Sequence, residues 1–222
     1  MAAGGREIEF KFRVEGPAAF EALAVAAGTR PGQPITQTNH FFDTPDRALG
    51  LRRYTLRLRE EGGRFRLTAK GPAERVANRT SRAEEEIEVS AEEAQAIVHA
   101  VRSALDVLEA RADQRGGALV ATMRSIVGHR ALRHVGSFQN ARARLPVTLS
   151  VEGRALPVTF ELDRTTFPGE QVHHEVEVEV EDADARAVEP VLHAFFKDAG
   201  VAWRQAPSKA RRFFEAAAGR PI

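Results

Sequence analysis

The chain is 222 residues long, with 43% hydrophobic and 28% charged residues, which is enough to bury a sizeable core and ordinary for a soluble globular protein. No window approaches the ~20 apolar residues that cross a bilayer, and no basic-then-apolar leader opens the sequence, so a single cytoplasmic domain over 1–222, without membrane contact, is the expectation. The absence of cysteine excludes disulfides, thiolate nucleophiles and iron–sulfur clusters, leaving oxygen and nitrogen ligands for any metal, and 32 basic against 31 acidic residues advertise no nucleic-acid surface.

In chain order, Glu7 to Val14 alternates strictly between charged and apolar residues and predicts a strand. A short helix is expected over Pro17 to Ala27, opened by proline and closed by Gly28. Thr36 to Asp43 reads as a strand ended by the turn Asp43-Thr44-Pro45-Asp46. Tyr54 to Glu60 and Phe65 to Lys70 form a hairpin around Gly62-Gly63, and Arg82 to Val89 follows after a breaker region at Gly71 to Thr80. Ser90-Ala91-Glu92-Glu93 is a capping box opening a helix to about Ala110. A second helix is expected at Ala118 to Val127, after turn glycines Gly116-Gly117, giving a helical insertion over about 90–128. Phe138 to Val151, Ala155 to Asp163 and His174 to Glu181 read as strands, and two C-terminal helices lie within about 185–218. The fold class is α+β: about eight antiparallel strands in a closed barrel or tunnel flanked by helices.

Several strands carry one densely charged parity: Glu7, Glu9, Lys11, Arg13; Arg57, Arg59; Arg66, Thr68, Lys70; Arg82, Glu84, Glu86, Glu88; Arg142, Arg144; Glu161, Asp163; Glu175, Glu177, Glu179. A single strand of this kind is more often a solvated face. Taken together, with amphipathic helices available to cover Ile8/Phe10/Phe12, Leu56/Leu58 and Val176/Val178/Val180, they predict a charged lumen. Such a lumen is tolerable when ligands neutralise it. Arginine forks and lysines suit phosphate oxygens, and carboxylates suit hard divalent cations that also bind phosphate.

Glu7-Ile8-Glu9-Phe10-Lys11 resembles the ExExK signature of the CYTH superfamily, the triphosphate tunnel metalloenzymes. Further matches follow in order: Asn39-His40-Phe41-Phe42-Asp43-Thr44-Pro45, Leu56-Arg57-Leu58-Arg59, Leu67-Thr68-Ala69-Lys70-Gly71-Pro72, Arg82-Ala83-Glu84-Glu85-Glu86, Glu161-Leu162-Asp163, Glu175-Val176-Glu177 and Ser208-Lys209. Within the superfamily the chain is most similar to single-domain inorganic tripolyphosphatases. The resemblance implies that Glu7, Glu9, Glu175 and Glu177 hold metal, two Mg²⁺ or Mn²⁺ ions. It implies that Lys11, Arg57, Arg59, Lys70, Arg82, Arg142 and Lys209 bind a small polyanionic substrate, that Glu9, Lys11 and Lys70 are catalytic, and that Glu84, Glu86 and Asp163 complete the lumen. The register leaves open which of Glu175, Glu177 and Glu179 ligate, and whether Arg142 or Arg144 faces the substrate. The activity implied is hydrolysis of a triphosphate, with inorganic tripolyphosphate first. Thiamine triphosphatase, nucleoside or RNA 5′-triphosphatase and class IV adenylyl cyclase are alternatives, and a non-catalytic polyphosphate-binding module is an alternative of another kind. The pairing of Glu7 with Glu9 speaks against that last reading.

Outside this pattern, His173-His174 is read as surface or turn, because strand neighbours face opposite ways. Trp203 is expected to pack before the last helix, and Arg211-Arg212 to lie on a solvated helix face.

Overall fold

The computed structural model describes residues 7–72, 74–76, 79–112 and 114–219; of the side chains in these ranges, those of residues 7, 74–76, 79–81, 114–115 and 182 are outside the description. Among the described residues, eleven strands and seven α-helices run in the order β1 (Glu7–Val14), α1 (Gly16–Ala27), β2 (Ile35–Asp43), α2 (Ala48–Leu51), β3 (Thr55–Glu61), β4 (Arg64–Lys70), β5 (Glu74–Val76), β6 (Arg79–Ser81) and β7 (Glu84–Val89). Then come α3 (Ala91–Val98), α4 (Ala104–Glu109), α5 (Gln114–Val127), β8 (Arg133–Val151), β9 (Arg154–Thr166), β10 (Val172–Glu181), α6 (Asp182–Asp198), β11 (Trp203–Gln205) and α7 (Lys209–Ala217). The class is the expected one, antiparallel strands with flanking helices. Eleven strands replace the expected eight, because β5, β6 and β11 are three-residue segments too short to show an alternation. Hydrogen bonding among the described residues does not close the strands into a ring.

The described residues fall into two compact units, one drawn from 1–35, 75–81 and 140–222, the other from 36–74 and 82–139. In the first, strands pair in the order β5-β6-β1-β10-β9-β8, and β11 also pairs with β1. The alternation of β1 turns Ile8, Phe10, Phe12 and Val14 into a core shared with Leu145, Phe160, Val176, Val178, Leu192 and Phe196. Trp203 packs here as expected, edge-on to Phe12 with ring centroids 4.9 Å apart. The opposite parity of β1, β9 and β10 carries the charges.

In the second unit the order is β8-β2-β3-β4-β7, with Leu56, Leu58, Leu67 and Ala69 buried under α3, α4 and α5. The Asp43 carboxylate ends β2 by accepting the backbone N–H groups of Thr44 (2.8 Å), Leu49 (3.0 Å) and Gly50 (2.9 Å), which sets the turn and the short α2. Ser90 and Glu93 make the expected capping box.

Two helical expectations are corrected. The helix from Ser90 does not run to Ala110: it stops at Val98, Ala100 takes a left-handed φ of 58°, and α4 restarts at Ala104. The break lets Ala94 and Ile97 from one segment and Leu105 and Leu108 from the other enter the same core. Gly116-Gly117 is not a turn but lies inside α5. A Cβ on Gly116 would fall 1.8 Å from Glu85 Oε2, so this glycine permits close approach of a helix to a carboxylate.

Candidate active site

Register builds the first charged cluster. Lys11 stands opposite Glu177 across β1 and β10, and Glu177 opposite Glu161 across β10 and β9. One row further, Arg13 stands opposite Glu175, and Glu175 opposite Asp163. Directly opposed residues share a face, so two adjacent rows place four carboxylates and two cations together. To these, β8 adds Arg142, and the start of α7 adds Lys209.

The contacts are dense. The Lys209 ammonium lies 2.5 Å from Glu175 Oε1, 2.7 Å from Glu177 Oε1 and 2.7 Å from Asp163 Oδ2. The Lys11 ammonium lies 2.6 Å from Glu177 and 2.5 Å from Glu9. Arg142 reaches Asp163 through both Nε (2.7 Å) and Nη2 (2.6 Å), Glu177 at 2.6 Å, and Glu161. Asn140 donates to Asp163 at 2.8 Å and accepts from Thr165 at 2.7 Å, fixing the aspartate from behind. Arg212 donates to Glu175 and to His173 Nδ1, the latter at 3.1 Å.

These contacts fix the charge states. Burial opposes ionisation of Glu177, but Lys11, Lys209 and Arg142 outweigh it and hold the carboxyl well below the usual range. For Glu175, burial and the adjacent Glu177 charge prevail over Lys209 and Arg212, and its pKa is raised. Lys11 and Lys209 are held above the usual lysine value: burial opposes their charge, and Glu177 with Glu9, or Asp163 with Glu175 and Glu177, overcomes it.

The donor set suits a hard divalent cation. Asp163, Glu175 and Glu177 each offer an oxygen, and the three oxygens lie within 4.8 Å of one another. The Lys209 ammonium, contacting all three, is a stand-in ion that shows how these carboxylates surround a cation.

Burial separates the candidates that register left open. Glu175 and Glu177 are buried in the cluster, whereas Glu179 is exposed. Arg142 is buried, whereas Arg144 is 53% exposed and meets Glu161 at 3.6 Å. Glu7 starts β1, but its side chain lies outside the described residues. Two expectations fail. Arg212 is not on a solvated face: it is 1% exposed and bonded to Glu175. His173 is not a surface residue either; it is buried between Arg212 and Phe167, because its parity matches that of Glu175 and Glu177. The signal for Arg212 was its spacing, since Lys209 and Arg212 are three apart on a helix whose Ser208 cap accepts from the Arg211 N–H.

The second unit holds a cationic set on β3, β4 and β7. Arg57 Nη2 donates to Thr68 Oγ1 at 3.3 Å and lies 3.9 Å from Glu86, while its buried Nε has no hydrogen-bond partner among the described residues. Thr68 passes its hydroxyl proton to Glu86 at 3.0 Å, Arg66 approaches Glu86 at 3.6 Å, and Arg59 donates to Asn39 at 3.2 Å. Lys70 meets Glu84 at 2.5 Å. Arg82 precedes β7, close enough in charge to disfavour the Lys70 ammonium. Burial, and then Arg57, pushes Lys70 down to about 8; burial, and then Arg59, lowers Arg57.

An antiparallel α+β protein with a buried lysine-filled carboxylate cluster in one unit and an under-neutralised cationic strand face in the other is the class that fold and chemistry define. Residues 5–214 match the CYTH domain, and the chain belongs to that family. Among solved structures it is similar to HpAC1 of Hippeastrum, described as a candidate adenylyl cyclase with a dominant triphosphatase activity, at 24% identity and a TM-score of 0.73 over 97% of each chain. A candidate adenylate cyclase of Bacillus halodurans is similar at 22% identity and a TM-score of 0.63, over 95% of this chain and 98% of that one. The PH1819 protein of Pyrococcus horikoshii follows the same fold at 16% identity and a TM-score of 0.56, over 95% and 99%. A search of curated proteins returns no match. No helix among the described residues is long and apolar enough to cross a membrane.

Proposed function

We propose that the protein is a divalent-metal-dependent triphosphatase whose first substrate is inorganic tripolyphosphate, cleaved to pyrophosphate and phosphate. The observation that carries this reading is the convergence of Asp163, Glu175 and Glu177 around the Lys209 ammonium, a cation seat built from buried oxygens. Glu175 and Glu177, with Glu7 and Glu9 of β1, would hold Mg²⁺ or Mn²⁺, and Asp163 adds a further oxygen. A bound divalent cation would neutralise charge on the phosphate oxygens as it redistributes during transfer.

The chain's own residues supply the remainder. Arg142, Lys11 and Lys209 would hold phosphate oxygens when these replace some of their present carboxylate partners. Arg57, Arg59, Lys70 and Arg82 are assigned the same task by the resemblance, and the buried Arg57 Nε, without a hydrogen-bond partner among the described residues, supports it. Glu9, paired with Lys11, would orient the attacking water and take its proton. The water oxygen bonds to the terminal phosphorus, the anhydride bond breaks and pyrophosphate leaves. No covalent nucleophile is needed.

The test is phosphate release from tripolyphosphate, ATP, thiamine triphosphate and long-chain polyphosphate with Mg²⁺ or Mn²⁺, repeated with Glu9→Gln. The expectation is turnover of tripolyphosphate above the others, and in E9Q a loss of about 10²–10⁴ in kcat with substrate binding retained. Preferred release from thiamine triphosphate or ATP, or cyclic nucleotide formation from ATP, would transfer the assignment to that substrate. Binding without turnover of any of them would make the protein a polyphosphate-binding module. Normal turnover in E9Q would remove Glu9 from the mechanism.

A further inference from the structure

A further anion-compatible feature lies in the first unit, at the edge of the charged cluster. Across β1 and β11, Arg13 stands directly opposite Arg204. Like charges in directly opposed positions destabilise a strand pair. A fold that keeps such a pair ordinarily places a carboxylate between them. Here neither guanidinium forms an ion pair with a described residue, although Glu175 stands opposite Arg13 across β10 and attracts it.

Between these arginines opens a pocket of about 310 Å³, whose lining also includes Glu15, His173, His174 and Trp203. Glu15 is its one carboxylate. His173 accepts from Arg212 through Nδ1, which leaves Nε2 as the donor of the neutral ring. The pocket therefore offers two guanidinium forks and an imidazole donor, with Glu15 the carboxylate of its lining and Glu175 facing Arg13 from β10.

We propose that this pocket is an accessory seat for a phosphoryl-class oxyanion, gripped by Arg13 and Arg204. Guanidinium forks match tetrahedral oxyanions bidentately, and the bound charge would turn a repulsive cross-strand pair into a clamp. Two sources share this chemistry: free inorganic phosphate, and a phosphoryl group of a chain longer than three units. The second source rests on the triphosphatase reading. Lys11 and Arg13 are two residues apart on one face of β1, a rise of about 7 Å, so a chain engaged at Lys11 would continue toward the seat.

The experiment follows inorganic phosphate binding by calorimetry and thermal melting in the wild type, Arg204→Gln and Arg13→Gln. Arg204 is exposed on a three-residue strand, and R204Q relieves the repulsion, so in phosphate-free buffer it should melt no lower than the wild type. Phosphate should raise the wild-type melting temperature, and either variant should bind it at least tenfold more weakly. Unchanged phosphate affinity in both variants overturns the seat. A rise in KM for long-chain polyphosphate but not for tripolyphosphate in R204Q identifies the chain as the source, whereas lost phosphate binding with the KM values for both substrates unchanged identifies free phosphate. The phosphate titration needs no turnover, so failure of the triphosphatase reading and failure of the seat are read separately.

Discussion

The buried cations of the two units carry opposite electrostatic signatures. In the first, Lys11, Lys209 and Arg142 each touch two or more carboxylates, and all three are held above their ordinary pKa values despite burial. In the second, Arg57 and Lys70 are also deeply placed, yet both are pushed down, Lys70 by burial and then by Arg57, Arg57 by burial and then by Arg59. The strands supply the reason. Lys11 and Arg142 face the carboxylate rows of β9 and β10, whereas Arg57 and Lys70 share a face with Arg59, Arg66 and Arg82, met by Glu84 and Glu86. A self-compensated cluster is ready to exchange an internal cation for an external one, and an under-compensated set is ready to take an anion.

The largest test of this contrast is Glu177→Gln. Glu177 accepts from Lys11 and Lys209 through one oxygen and from Arg142 through the other. Its neutralisation leaves three buried cations short of a partner, a loss of about 3–5 kcal/mol, or a fall in melting temperature of about 10 °C or more. A melting shift under about 2 °C would mean that the first cluster is not self-compensated.

A smaller effect is expected from Lys209→Met. If the Lys209 ammonium holds the place a divalent cation would take, removing it leaves Asp163, Glu175 and Glu177 without their shared counter-charge. Metal-free protein should lose stability, and Mg²⁺ or Mn²⁺ should bind at least tenfold more tightly than to the wild type, by calorimetry and by the melting-temperature gain on adding metal. Equal or weaker metal binding in K209M would show that ammonium and metal do not compete.

The contrast was partly legible in the sequence. Alternation with period two assigned Ile8, Phe10 and Phe12 to the core and Glu9 and Lys11 to the charged face, because that period depends on local geometry alone. Pairing does not: nothing in the order of residues puts Lys11 opposite Glu177, or Arg13 opposite Arg204, since register follows from packing of segments distant in sequence. The choice of Glu177 over Glu179 and of Arg142 over Arg144 was hidden for the same reason. Arg212 was misread because a charged residue on a short helix is usually solvated, and only its partner, Glu175, keeps it buried. The break between α3 and α4 left no glycine to signal it, as Ala100 takes the left-handed conformation itself.

The smallest expected effect isolates the second unit. Lys70 has a pKa of about 8 in the folded protein against 10.5 as its ordinary value. Between those values the unfolded chain holds a proton that the folded chain lacks, so folding stability from this group rises as pH increases from about 8 toward 10.5. Lys11 and Lys209, raised rather than lowered, stay protonated in this window and cannot imitate the effect. The expected gain is on the order of 1 kcal/mol once solvent at the amine is allowed for, and it should vanish in Lys70→Met, measured as the difference between urea midpoints of the two proteins at pH 8 and pH 10. Tripolyphosphate should flatten the wild-type slope, because a bound anion restores the lysine charge. An equal slope in K70M would place the titration on another group and remove Lys70 from the contrast.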